Sequence, residues 1–255
     1  MSSLSLLTLV LGILMILVGG KQGLAAYLGV ILNFGLLFLA VILIASGFNI
    51  IWICIFFGIC ILALTIYLGS HDERATNVAF VATLIVLGVM VLLIIPLDYL
   101  ANTAGFANEQ SEQIEAFNLL IGVDFRQLLL ATTILSTLGA LAEAAIAIAS
   151  GLEELWQQNP TLTTVQLIKS GKVIGFQIMG MTFNTLFFGM FGSDLALFIL
   201  LYRLKNTFGY YFNSKIFVAE CMLVLYAALA VILVIWLTIY LMTRKLMRSQ
   251  KRDIS

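Results

Sequence analysis

The sequence predicts an all-α protein, a polytopic integral membrane helical bundle of about seven transmembrane helices. Of its 255 residues 62% are hydrophobic and only 10% are charged, with a mean hydropathy of +1.11, far outside the composition of soluble domains. Apolar runs long enough to cross about 30 Å of hydrocarbon recur along nearly the whole chain. They leave no stretch for a separate soluble unit, so residues 1–255 read as one integral membrane domain.

The first run, LSLLTLVLGILMILVGG, gives a span near residues 4–18; lacking a basic leader and a small-x-small cleavage site, it is read as uncleaved. The second (24–46) and third (50–69) are joined by the uncharged turn Gly47-Phe48-Asn49. The fourth (76–97) closes at Pro96, and an outer loop over 98–127 follows. That loop carries Glu109, Glu112, Glu115 and Asp124, with Ile114, Phe117 and Ile121 at helical spacing; an interfacial amphipathic helix and a solvated acidic loop both fit. The fifth (128–150), sixth (172–201) and seventh (219–242) spans complete the set.

Cytoplasmic segments retain Lys and Arg. The tail, 243–255, holds Arg244, Lys245, Arg248, Lys251 and Arg252, which predicts a multi-pass plasma-membrane protein with a cytoplasmic C-terminus. Lys21, Arg74, Lys169 and Lys172 then fall on the same side, against Arg126, Arg203, Lys205 and Lys215 outside. Three of those four crowd into RLKNTFGYYFNSK after the sixth span. Either that span is broken near Gly189 and Gly192 and falls short of crossing, or the charge bias is overruled there.

A formal net charge of zero argues against nucleic acid as a partner, since phosphate binding needs a basic surface. Cys54, Cys60 and Cys221 lie in apolar runs and read as packing residues. The lone histidine, His71, reads as a solvated loop residue; there is no H-E-x-x-H, and no serine or cysteine has a general base nearby in sequence. No enzymatic activity, cofactor or metal is predicted.

The polar residues that remain sit in apolar context. On the fifth span Thr132, Ser136, Gly139, Ala140, Glu143, Ala147, Ser150 and Glu154 share one helical face, with Ile134, Leu138, Leu141 and Leu152 opposite. The small, weakly polar stripe is expected to pack on protein and the aliphatic face to meet lipid or bulkier neighbours, pointing Glu143 into the bundle. An acid at helix centre costs about 2.5–3.5 kcal/mol on insertion scales. Two readings stand: a proton- or cation-coupled site, and a neutral acid hydrogen-bonded to a neighbouring helix.

On the sixth span Gly180, Asn184, Phe187, Phe191 and Asp194 form a stripe. Counted from the cytoplasmic ends at 1.5 Å per residue, Glu143 and Gly180 are level at roughly 12 Å and Asn184 lies at roughly 18 Å. A glycine opposite the acid would admit a close backbone approach, and Asn184 would share the site. Gly192-Ser193-Asp194 superficially matches the Gly-Asp motif of intramembrane aspartyl proteases, but Asp194 sits roughly 20 Å above Glu143, too far for a carboxylate pair. Asn33, in mid-second span, is expected to bond another helix, and it could also join a binding site. These residues point to a transporter or permease subunit, substrate unnamed, with a polar site around Glu143 and Asn184. The alternative is a non-transporting membrane scaffold or partner subunit.

The segments VGGKQG (18–23), IGVDF (121–125), STLGALAEAAIAIAS (136–150), IKSGKVIGFQIMGMTFNTLFFGMFG (168–192) and FNSKIFVAE (212–220) resemble, in order and over nearly the whole chain, the YibE/F family of bacterial multi-spanning membrane proteins, in particular its YibF-like half of a split pair. The resemblance implies a multi-spanning, membrane-embedded subunit. It departs at Glu143, where members tend to carry Asp after a bulky residue instead of Ala142, and at Phe176-Gln177, where they tend to carry Arg-Asp. The missing charged pair implies a partner besides the lipid bilayer: a second, YibE-like membrane protein in a hetero-oligomer, or further copies in a homo-oligomer.

Overall fold

The computed structural model describes residues 3–69, 72–101, 125–203, 209 and 214–253, and every regular element among them is an α-helix. His71 and the expected interfacial helix around Ile114, Phe117 and Ile121 lie outside the described residues.

The first element, α1 (Ser3–Ala45), is a hairpin and not a rod. Gly20 adopts φ +56° and ψ −129°, in the region that glycine enters without steric cost, and the chain doubles back there. The Tyr27 hydroxyl donates to the Thr8 carbonyl at 3.2 Å; in a straight helix these residues would stand about 28 Å apart. The Tyr27 ring covers Gly12, and a Cβ on Gly23 would collide with the Met15 carbonyl. The arms before and after Gly20 correspond to the first two expected spans.

Gly47, at φ +88°, turns the chain into α2 (Ile50–Gly69). Asn49 caps that helix, its side-chain oxygen accepting the Ile51 N–H at 3.0 Å. Asp72 caps α3 (Glu73–Ala101) in the same manner, accepting the Arg74 N–H at 2.8 Å. Pro96 lies inside α3 without ending it. The helix therefore continues past the expected boundary at Leu97 and carries Asp98 with it.

Next comes α4 (Phe125–Gln158), then α5 (Thr164–Ser193), which starts at a reciprocal capping box between Thr163 and Gln166. The sequence leaves two alternatives for this span, a break near Gly189 and Gly192 or an overruled charge bias; helix α5 runs through both glycines and ends just beyond them. The interruption falls at Asp194, after which α6 (Leu195–Arg203) resumes. At 30 residues α5 reaches roughly 44 Å, enough to cross hydrocarbon, so shortness does not account for the basic residues that follow. The last helix is α7 (Lys215–Asp253).

Helix α4 is the hub, packing on α2, α3, α5 and most extensively on α7. Its Leu138, Leu141, Ile148 and Leu152 are buried, with Ala142, Ala144, Ala145 and Ala149 between them. The α5–α7 seam is tighter still. A Cβ on Gly175 would lie 2.6 Å from Ile235 Cγ2, and one on Gly171 would lie 3.0 Å from Ile239 Cγ1.

That seam yields a prediction. Gly175→Val forces methyl groups against the branched, buried Ile235 and should lower stability by about 1–3 kcal/mol, read as an earlier unfolding transition in detergent. Gly139→Ala should leave the transition in place, because nothing lies within 4 Å of the added carbon.

Candidate functional site

The expected orientation of α4 is reversed. Ile134, Leu138, Leu141 and Leu152, expected to meet lipid or bulkier neighbours, form the core with α2, α3 and α7, and it is the small polar stripe, expected to pack on protein, that is left outside. Thr132, Ser136, Gly139, Glu143 and Glu154 are exposed on the opposite face. The physical reason is packing volume: four neighbouring helices interdigitate with the large aliphatic side chains of α4, and its alanines let them approach. Glu143 thus points away from the bundle, near the middle of its helix.

The relative depth on α5 agrees with expectation, although the contact does not. Ile148 lies beside the Gly175 position and Ile174 beside Gly151, so stepping five residues from Ile148 and Gly175 brings Glu143 level with Gly180. No heavy atom lies within 4 Å of a Cβ built on Gly180, so the expected close approach opposite the acid is absent. Gly180, Asn184 and the neighbouring Gln177 are exposed. At the adjoining end of these two helices a groove of about 640 Å³ is lined by Gly151, Glu154, Lys169 and Ser170 among others.

Two other candidates stand apart. Asn33 donates to the Thr65 hydroxyl at 2.8 Å, joining the second arm of α1 to α2 as a helix-to-helix bond, while its own Oδ1 is buried without a partner. Asp194 occupies the α5–α6 break, where its N–H donates to the Met190 carbonyl at 3.1 Å and its carboxylate accepts from Ser193 at 3.1 Å.

The structure adds polar residues that sequence reasoning missed. Asp98 is only 5% exposed; its Oδ1 accepts the Tyr226 hydroxyl at 2.8 Å across the α3–α7 contact. Its Oδ2 is buried without a hydrogen-bond partner. Pro96 hid it: read as a helix end, the proline consigned Asp98 to the outer loop.

At the opposite end of α3, Glu153 of α4 is buried and faces Arg74, Nη1 to Oε1 3.7 Å. Gln157 donates weakly to Glu153 at 3.5 Å and to Asp72 at 3.4 Å. Lys245 donates to the Arg74 carbonyl at 3.3 Å and Gln250 to the Pro160 carbonyl at 3.2 Å. The start of α3, the end of α4 and the end of α7 are thereby tied together. An open depression of about 760 Å³ lies among Asp72, Arg74, Glu153, Trp156 and Gln157. Among the described residues no group of three or more His, Cys, Asp and Glu side chains is placed to hold a metal ion.

Helices of this length and hydropathy, packed about an apolar core, define a polytopic helical membrane protein. Over residues 7–248 the chain matches the family model described as YibE/F-like protein, and it belongs to that family. No curated protein and no solved structure matches it.

Arg74→Ala should leave Glu153 buried without its ion-pair partner, with Lys245 still nearby, and cost about 1–3 kcal/mol. Adding Glu153→Gln should recover part of that loss. A double-mutant cycle on unfolding midpoints reads the coupling, and strictly additive losses would mean that the two side chains act independently.

Proposed function

We propose that the chain is a subunit of a membrane transporter or permease, its polar site built on the exposed face of α4 around Glu143, with Asn184 of α5, and completed by a second membrane-embedded chain. The observation that carries this reading is the position of Glu143: an exposed acid near mid-helix, in a stripe that no other described helix covers. Carboxylates facing hydrocarbon are costly and mark pathways and relays when they are kept. The open side of Gly180 leaves room for a partner's backbone. The partner is a YibE-like membrane protein or a second copy; Asn33 and Asp194 stand outside this site. We place the protein in the plasma membrane with its C-terminus cytoplasmic. In support, Arg74, Lys245 and the segment at Pro160 gather at one end of the bundle.

A second reading, a scaffold or partner subunit that transports nothing, draws on the same stripe, because Ser136 and Gly139 are the small residues that suit helix-to-helix packing.

Charge movement on supported membranes, recorded for the native complex across a panel of small solutes, separates the two. The transporter reading expects a solute-driven current that Glu143→Gln abolishes while insertion and assembly persist. A current equal in wild type and variant would overturn it. The scaffold reading expects no current, and weaker retention of the partner chain in the variant.

A further inference from the structure

We propose that Asp98 and Tyr226 form a proton-binding site inside the bundle, with the proton held on Asp98 Oδ2. The argument rests on position, hydrogen bonding and surroundings. Asp98 is 5% exposed and Tyr226 2% exposed. Tyr226 lies 11 residues into α7 from Lys215, roughly 16 Å along the helix, so the pair is overhung by three turns of α7. The tyrosine donates to Oδ1 and leaves Oδ2 enclosed with no donor.

A carboxylate so placed would carry a charge in an apolar core with one hydrogen bond, which is far less favourable than a neutral carboxyl group in the same place. Among the described residues no ion pair forms on Asp98. Helix α4 contributes Arg126, whose guanidinium lies 5.0 Å from the Tyr99 ring centroid. Helix α2 contributes Cys54 and Cys60 and, at its far end, Tyr67. On α7 the titratable residues of this end are Lys215, Glu220 and Cys221.

The step is a simple protonation. A proton from water adds to Oδ2, the carboxylate becomes a carboxylic acid, and Tyr226 keeps its own proton and its bond to Oδ1. Oδ1 is then the carbonyl oxygen of the acid, and it is the atom the tyrosine marks. This site does not include Glu143, which lies on the exposed face of α4, so the outcome of the Glu143→Gln flux test leaves it standing.

Infrared difference spectroscopy of the full chain in proteoliposomes, titrated through neutral pH, tests the assignment. Exposed carboxyl groups have lost their protons by then. Wild type should therefore show the carbonyl stretch of a protonated acid that Asp98→Asn removes. Tyr226→Phe should keep that band and move it to higher frequency, because the carbonyl loses its donor. A spectrum unchanged by Asp98→Asn would overturn the proposal. Should Asp98→Asn fail to insert, Tyr226→Phe decides alone: a shifted band supports the site, and an unshifted one refutes it.

Discussion

The packing of α4 on α7 is the constraint on which the rest of the bundle depends. A helix surrounded by four others can satisfy all of them only if its surface alternates bulk with space, and α4 does so: Leu138, Leu141, Ile148 and Leu152 fill the gaps, while Ala142, Ala144, Ala145 and Ala149 bring backbones close. In a membrane this matters more than in water. Lipid tails are as apolar as leucine, so close contact and hydrogen bonding, rather than hydrophobic exclusion, hold helices together. The bare glycines of α5 extend the principle, since Gly171 and Gly175 lie against Ile239 and Ile235 with almost no slack.

Polar groups are placed around this apolar hub in two different ways. At one end Arg74, Glu153, Gln157 and Lys245 link three helix ends in a chain that water reaches, with Arg74 half exposed. Deeper in, the polar contacts are single and shielded: Asn33 with Thr65, Asp98 with Tyr226. An isolated contact of the second kind leaves an oxygen unpaired in each case. Buried orphans of this sort are uncommon in folded proteins; Glu153 Oε2, at the end that water reaches, is one as well, but among the described residues Asp98 alone combines an orphaned carboxylate oxygen with a single shielded hydrogen bond.

Much of the architecture is legible in the sequence, because hydrocarbon thickness sets a length that long apolar runs either reach or do not. The turn at Gly47, the separation of the first two spans near Gly20 and the interhelical role of Asn33 all follow from residue type in context. The facing of α4 does not. Its sequence offers a small polar stripe and a bulky aliphatic one, and hydrophobicity cannot rank them when both the core and the solvent are apolar. Asp98 escaped for a local reason: a proline near a helix end looks like a terminator, yet membrane helices tolerate it, and the acid two residues later went inside with the helix.

The hairpin in α1 bears on the bilayer itself. Its first arm runs from Ser3 to the residue before Gly20 and is exposed except at Gly12 and Met15, so lipid is its main neighbour. The protein contacts that hold it are few: the Tyr27 ring over Gly12, the Tyr27 hydroxyl on the Thr8 carbonyl and the close approach of Gly23 to Met15. A segment held mainly by lipid takes its position from the bilayer, so a change of acyl chains reaches this arm before the closely packed helices behind it.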